Sequence, residues 1–171
     1  DLLESRGLGD VYKRQLLTGD AFSRGPDPLG VWHLIDEYGA EMVLGNHDAR
    51  LRQQLGDLSE DGSPGTIKPD QRFTLHALES IHSTLRTWLH QVPLYIEEDR
   101  FLLVHAGINP ERGLAETSFE EFITIRIWPP VKGSIDGPRW HEVYEPLHPL
   151  LIFGHDAPSG LITKRRDGKP Y

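Results

Sequence analysis

The chain has 171 residues, 37% of them hydrophobic, enough for one domain with an ordinary core and too many for a mini-protein that depends on staples. Lys and Arg number 18 against 26 Asp and Glu, a formal charge of −8 that argues against a dedicated binder of nucleic acid or of an anionic membrane. Cysteine is absent, so disulfides, thiolate zinc sites and cysteine nucleophiles are excluded, and any metal must be held by nitrogen and oxygen ligands.

Along the chain, short apolar runs alternate with longer amphipathic ones, the pattern of an α/β layered domain. Residues 15–18 form an apolar run ending in Gly19-Asp20. Leu29 to Tyr38 has helical spacing stopped by Gly39, and Glu41 to Leu44 is a strand ending at Gly45. A helix is expected over Ala49 to Leu55, and the Gly, Ser, Asp and Pro of Gly56 to Pro69 predict a long loop. The strongest helix runs from Arg72 to His90, with Phe73, Leu75, Leu78, Ile81, Leu85, Trp88 and Leu89 as its core-facing stripe. Strands Leu94 to Ile96 and Phe101 to Val104 flank a polar turn. Phe119 to Ile127 fits either element, Trp128 to Pro138 is a loop, and Leu150 to Phe153 is a buried strand stopping at Gly154-His155. The final segment alternates around Asp167-Gly168, a hairpin dipeptide. No apolar run approaches the roughly 20 residues of a spanning helix and the first residues show no charged stretch followed by an apolar one, so a cytoplasmic location is expected.

Polar residues sit where the apolar runs stop. Asp20, Asn46-His47-Asp48, His105 and His155 each follow a strand, and ligands of open α/β sheets bind at the carboxyl ends of strands. Taken singly, Gly19-Asp20 is an ordinary turn, and His105 or His155 reads as a satisfied core histidine. Together they offer hard oxygens and imidazoles, a set suited to Mn, Fe or Zn, and a two-metal hydrolytic site is the natural reading.

In order, Gly19-Asp20-Ala21-Phe22-Ser23-Arg24-Gly25-Pro26, Gly45-Asn46-His47-Asp48, Val104-His105-Ala106-Gly107 and Gly154-His155 resemble the motifs of the calcineurin-like metallophosphoesterases. The resemblance is to the branch that holds the phosphoprotein phosphatases and the symmetrical diadenosine tetraphosphatases, and it spans Leu16 to Tyr171. It implies a layered α-β-β-α sandwich and two divalent metal ions, Mn before Fe or Zn. Asp20 would bridge both ions, Asn46 and His105 would complete one shell, and His155 would contribute to the other. The resemblance also makes Arg24 a phosphate clamp and His47 the general acid, while a metal-bridging hydroxide attacks phosphorus. A second phosphate-binding arginine is expected at Arg139 or Arg126.

Two departures from the family pattern matter. Ser23 stands where the protein phosphatases carry an acid that orients the catalytic histidine, which tilts the reading towards the tetraphosphatases and leaves Asp48 to support His47. The family's first strand ends in Asp-x-His-Gly, which is not found here. Gly9-Asp10-Val11-Tyr12 has tyrosine in the histidine position, and the nine residues between Asp10 and Asp20 are too few for a parallel crossover. Residues 1–15 are therefore expected to be a non-native or disordered leader before a phosphoesterase domain, 16–171, incomplete at both termini. The expected activity is metal-dependent hydrolysis of phosphate esters or anhydrides in a small molecule, nucleotide or phosphoprotein, without nucleic-acid or membrane partners. The alternatives are a serine/threonine protein phosphatase proper and a non-catalytic binding module that keeps the fold; retention of His47 and Arg24 argues against the second.

Overall fold

Leu16–Leu17 (β1) and Glu41–Met42 (β2) pair in parallel, and the ladder is extended by the Glu41 amide donating to the Gln15 carbonyl and the Val43 amide to that of Leu17. These contacts come from a computed structural model that describes residues 14–131, 133–145, 147, 150–156, 160, 163–166 and 169–170. Thirteen residues of the expected leader and the Asp167-Gly168 turn lie outside the described residues. Arg14 and Gln15, the last two of that leader, are tied to the strands beside them: the Gln15 carbonyl accepts the Glu41 amide and the Arg14 guanidinium pairs with Glu41 and Glu98.

The crossover helix α1, Pro28–Tyr38, starts where the Asp27 carboxylate accepts the Gly30 amide at 2.8 Å and proline occupies the first turn. It buries Trp32 and Ile35 and stops at Gly39. Helix α2, Asn46–Asp61, begins three residues earlier than expected, because the Asp48 carboxylate reaches back to the Gly45 amide at 3.0 Å. It also runs straight through Gly56, so the expected 56–69 loop shrinks to 62–68. One interior glycine costs about 1 kcal/mol, which burial of Leu51 and Leu55 offsets.

The expected single helix over 72–90 is two. Helix α3, Pro69–Ala77, ends at Leu78, a turn of 3-10 geometry follows, and α4 spans His82–Gln91. His82 Nε2 lies 2.8 Å from the Leu75 carbonyl across the break. The bend lays both halves on one cluster, with Leu75, Leu78, Leu85 and Leu89 buried, while Phe73 from the expected stripe is 50% exposed.

Tyr95–Glu98 (β3) and Phe101–Val104 (β4) form a hairpin with Glu98 opposite Phe101, and β4 pairs in parallel with Leu151–Ile152 (β5). The Leu44 amide donates to the Pro93 carbonyl at 2.8 Å and so links the first strand pair to the second sheet. The ambiguous 119–127 segment becomes α5, Phe119–Thr124, capped by Ser118, and then a bridge between Ile127 and Arg139 that closes the 128–138 loop. A short helix α6, Trp140–Val143, follows, and Arg165–Arg166 (β6) pairs with Lys169–Pro170 (β7) in the expected hairpin.

Two buried clusters result. One packs β2 against α1 to α4, the other packs β4 and β5 against α5 and Trp140, and Ala49 and Leu94 touch both. The expected α/β class is the observed one, with helices laid against the β1–β2 pair and the β3–β4–β5 sheet. No helix among the described residues is long and apolar enough to cross a membrane.

Candidate metal centre

The carboxyl ends of β1, β2, β4 and β5 meet at one place. Gly19 and Gly45 let them approach: a Cβ on Gly19 would lie 2.7 Å from the Gly45 amide nitrogen, and one on Gly45 would lie 2.3 Å from Asp20 Oδ1. Asp48 ties the two ends together, since its buried Oδ2 accepts the Asp20 amide at 2.6 Å and the Gly45 amide at 3.0 Å. Burial pushes its carboxyl up to about 6, against the pull of those amides. No hydrogen bond joins Asp48 to His47 among the described residues, so its observed role is to fasten the scaffold.

Asp20 Oδ1 accepts the His47 amide at 2.9 Å, which leaves Oδ2 facing inward, 3.6 Å from His105 Nε2. His105 is 1% exposed, and its Nδ1 lies 2.6 Å from the Thr18 carbonyl, a contact that requires the proton on Nδ1. Its Nε2 is therefore a bare lone pair. Around it stand Asn46 Oδ1 at 3.3 Å and His155 Nδ1 at 3.1 Å. Burial foremost holds both imidazoles in the neutral form: His105 is shifted below the ordinary histidine range, and His155 is pushed down to about 4, helped by Arg126 and His105.

The His105 Nε2 lone pair faces the Asn46 amide oxygen and the Asp20 carboxylate, acceptors that repel it unless a cation, or a proton carried on His155 Nδ1, sits among them, and this donor set suits a divalent transition ion. Ligand atoms of Asp20, His105 and His155 lie within 4.8 Å of one another, and Asn46 joins them. The chemistry of the donors and the fixed His105 tautomer both fit a metal.

All four expected metal ligands are thus brought together. His47 is half-buried in the first turn of α2, beside Asp20. Arg24 is exposed in the turn that follows Asp20. Arg126 and Arg139, expected as alternatives, both reach the site's edge and share one partner, Asp156, at 3.6 Å and 2.8 Å. Sequence reading misses Asp156, because its partners lie 30 and 17 positions upstream and no spacing rule connects them. Asp20, Arg24 and His155 have backbone φ of 59°, 65° and 64°, the left-handed region that residues other than glycine seldom adopt.

No family model matches the chain. Among curated proteins it is 38% identical over 120 residues to the symmetrical bis(5'-nucleosyl)-tetraphosphatase of Nitrosomonas europaea, which covers 64% of this chain and 40% of that protein. Relatives of the same name in Actinobacillus pleuropneumoniae and Glaesserella parasuis are 37% and 33% identical, each covering 68% of this chain and 42% of the relative. A crystal structure described as that of a candidate diadenosine tetraphosphatase superposes with a TM-score of 0.71 at 26% identity, over 92% of this chain and 68% of that one. The chain is a homologue of the symmetrical bis(5'-nucleosyl)-tetraphosphatases, within the calcineurin-like metallophosphoesterases. It spans about two fifths of the length of the curated relatives it matches.

Proposed function

We propose that the chain belongs to a metal-dependent hydrolase that cleaves a phosphoanhydride bond of a dinucleoside polyphosphate. The reading rests on the convergence of Asp20, Asn46, His105 and His155 donor atoms around one point. The names of the relatives supply the substrate class.

Asp20, Asn46, His105 and His155 would together hold the two divalent ions expected of the family, and Mn suits this mixed set of oxygen and nitrogen ligands. Such ions supply Lewis acidity towards phosphoryl oxygens and lower the proton affinity of water. The chain's own residues do the rest. Arg24, Arg126 and Arg139 bind phosphate oxygens, each guanidinium offering a planar fork to two of them. His47, held by its amide on Asp20, donates a proton to the leaving oxygen. Overall, water adds across P–O–P, its hydroxyl going to one phosphorus and its proton to the departing phosphate. That departing group is a weaker base than a serine alkoxide and demands less of the acid. Ser23, where the protein phosphatases carry an acid to steady this histidine, is compatible with the smaller demand.

Incubation of the chain with Mn and diadenosine tetraphosphate, followed by chromatography, tests the reading. Symmetrical cleavage gives adenosine diphosphate alone. Adenosine mono- and triphosphate together, or preferential turnover of a phosphoserine peptide, would overturn it.

A further inference from the structure

Asp156 directly follows the metal-site residue His155, and its two carboxylate oxygens face guanidiniums from opposite sides of one loop neck. Arg139 Nη1 is 2.8 Å from Oδ2, and Arg126 Nε is 3.6 Å from Oδ1. The neck itself is pinned: Ile127 bridges Arg139, the Trp140 amide donates to the Arg126 carbonyl at 3.1 Å, and the Trp128 amide to that of Pro138 at 2.9 Å. On the other side the Asp156 amide donates to the Gly154 carbonyl and the Gly154 amide to that of His105, each at 2.8 Å. The carboxylate therefore lies between the loop neck and the strand end that carries His155.

The charge count decides what this arrangement can hold. Two guanidiniums face one carboxylate, which leaves a net positive charge at the rim, and both arginines are partly open, with side chains 37% and 29% exposed. Without the carboxylate, two like charges this close repel each other, and each long side chain regains its rotamer freedom. With it, they form a preset pair with donors to spare, the geometry that takes successive phosphates.

We propose that Asp156 is a positioning residue that fixes Arg126 and Arg139 as a paired clamp for the outer phosphates of a polyphosphate, those beyond the phosphate at the metal centre. This rests on the polyphosphate reading of the site given above. Arginines placed by Asp156 matter most to a ligand with several phosphates and least to a small monoester, which ends at the metals.

The test uses the Mn-loaded chain and two substitutions, Asp156→Ala and Asp156→Asn; the second keeps the side-chain shape and one acceptor. Calorimetry measures adenosine diphosphate binding with Mn in excess, and steady-state kinetics compares diadenosine tetraphosphate with p-nitrophenyl phosphate. Loss of charge-assisted bonds predicts about 10- to 100-fold weaker diphosphate binding in Asp156→Ala, with an intermediate loss in Asp156→Asn. KM for the tetraphosphate should rise in parallel while its kcat stays within about 3-fold, and KM for p-nitrophenyl phosphate should move least. Diphosphate affinity within about 2-fold of the parent in both variants would overturn the proposal. Tighter binding would do so as well, since it would make Asp156 a competitor of the phosphate. Diphosphate binding that weakens as expected in a chain that does not cleave the tetraphosphate would uphold the clamp and defeat only the hydrolase reading.

Discussion

His105 Nδ1 stands 2.6 Å from the carbonyl oxygen of Thr18, two residues before Asp20. That contact settles which ring nitrogen carries the proton, and with it where the opposite lone pair points. The ligand set around His105 Nε2 predicts a saturable divalent site in the 171-residue chain, visible as one tight step in a calorimetric Mn titration. His105→Ala should weaken this step by at least about 100-fold, more than loss of a group that merely orients a ligand. An unchanged isotherm would place the ion elsewhere.

Asp20→Asn keeps the shape that accepts the His47 amide but removes the charge beside His105. Hydrolysis should fall below detection while the thermal midpoint stays close to the parent's. His47→Gln should lower turnover about 10²- to 10⁴-fold on esters with poor leaving groups and less on p-nitrophenyl phosphate, whose leaving group hardly needs a proton. Equal losses on both substrates would assign His47 another task.

Behind His105, a Cβ on Gly107 would sit 2.3 Å from the ring of Trp140, a residue 1% exposed that packs edge-on to Phe153 at 4.9 Å. Gly107→Ala should therefore cost about 1–3 kcal/mol through overpacking. Adding Trp140→Leu should recover part of that loss, which a double-mutant cycle from denaturant melts would read as coupling.

Glu121 fastens the loop that leaves His105. Its carboxylate accepts Asn109 Nδ2 at 2.6 Å, the Ser118 amide and hydroxyl at 2.8 Å each, and Arg112 Nη2 at 2.9 Å. Burial pushes its pKa up, but the Ser118 and Asn109 bonds and the Arg112 charge outweigh that and leave it below the usual 4.5. The unfolded chain therefore takes up this proton first. The carboxylate's contribution is complete above about pH 4.5 and is lost as pH falls through the depressed native value. Glu121→Gln should cost about 1–2 kcal/mol at neutral pH and flatten the acid limb of stability against pH. A parallel acid limb would show that Glu121 titrates alike in both states.

How much could be read beforehand follows from the range of each interaction. Asp20, Asn46, His105 and His155 were legible because each ends an apolar run, and the carboxyl edge of an α/β sheet gathers such ends. The start of α2 was not, because Gly45-Asn46-His47-Asp48 reads as a turn until the Asp48 side chain is seen to cap the Gly45 amide. The break at Leu78 was hidden by an apolar stripe that continues in helical phase through both α3 and α4. Tertiary packing on a shared cluster, and not local propensity, sets that bend. Asp156 was illegible for a further reason: its meaning comes only from two arginines that the fold delivers to it.

The left-handed backbone at Asp20, Arg24 and His155 bears on how such a chain would change under selection. Each of these residues holds a conformation that costs roughly 1–2 kcal/mol and that glycine enters freely, a relief only partly offset by the greater freedom of an unfolded glycine. In a lineage screened for heat endurance alone, glycine should accumulate at these positions, and every such gain would delete a proposed metal ligand or the proposed phosphate-binding Arg24. In a lineage held to the proposed turnover, the same three positions should resist that exchange, leaving a persistent instability at the candidate site.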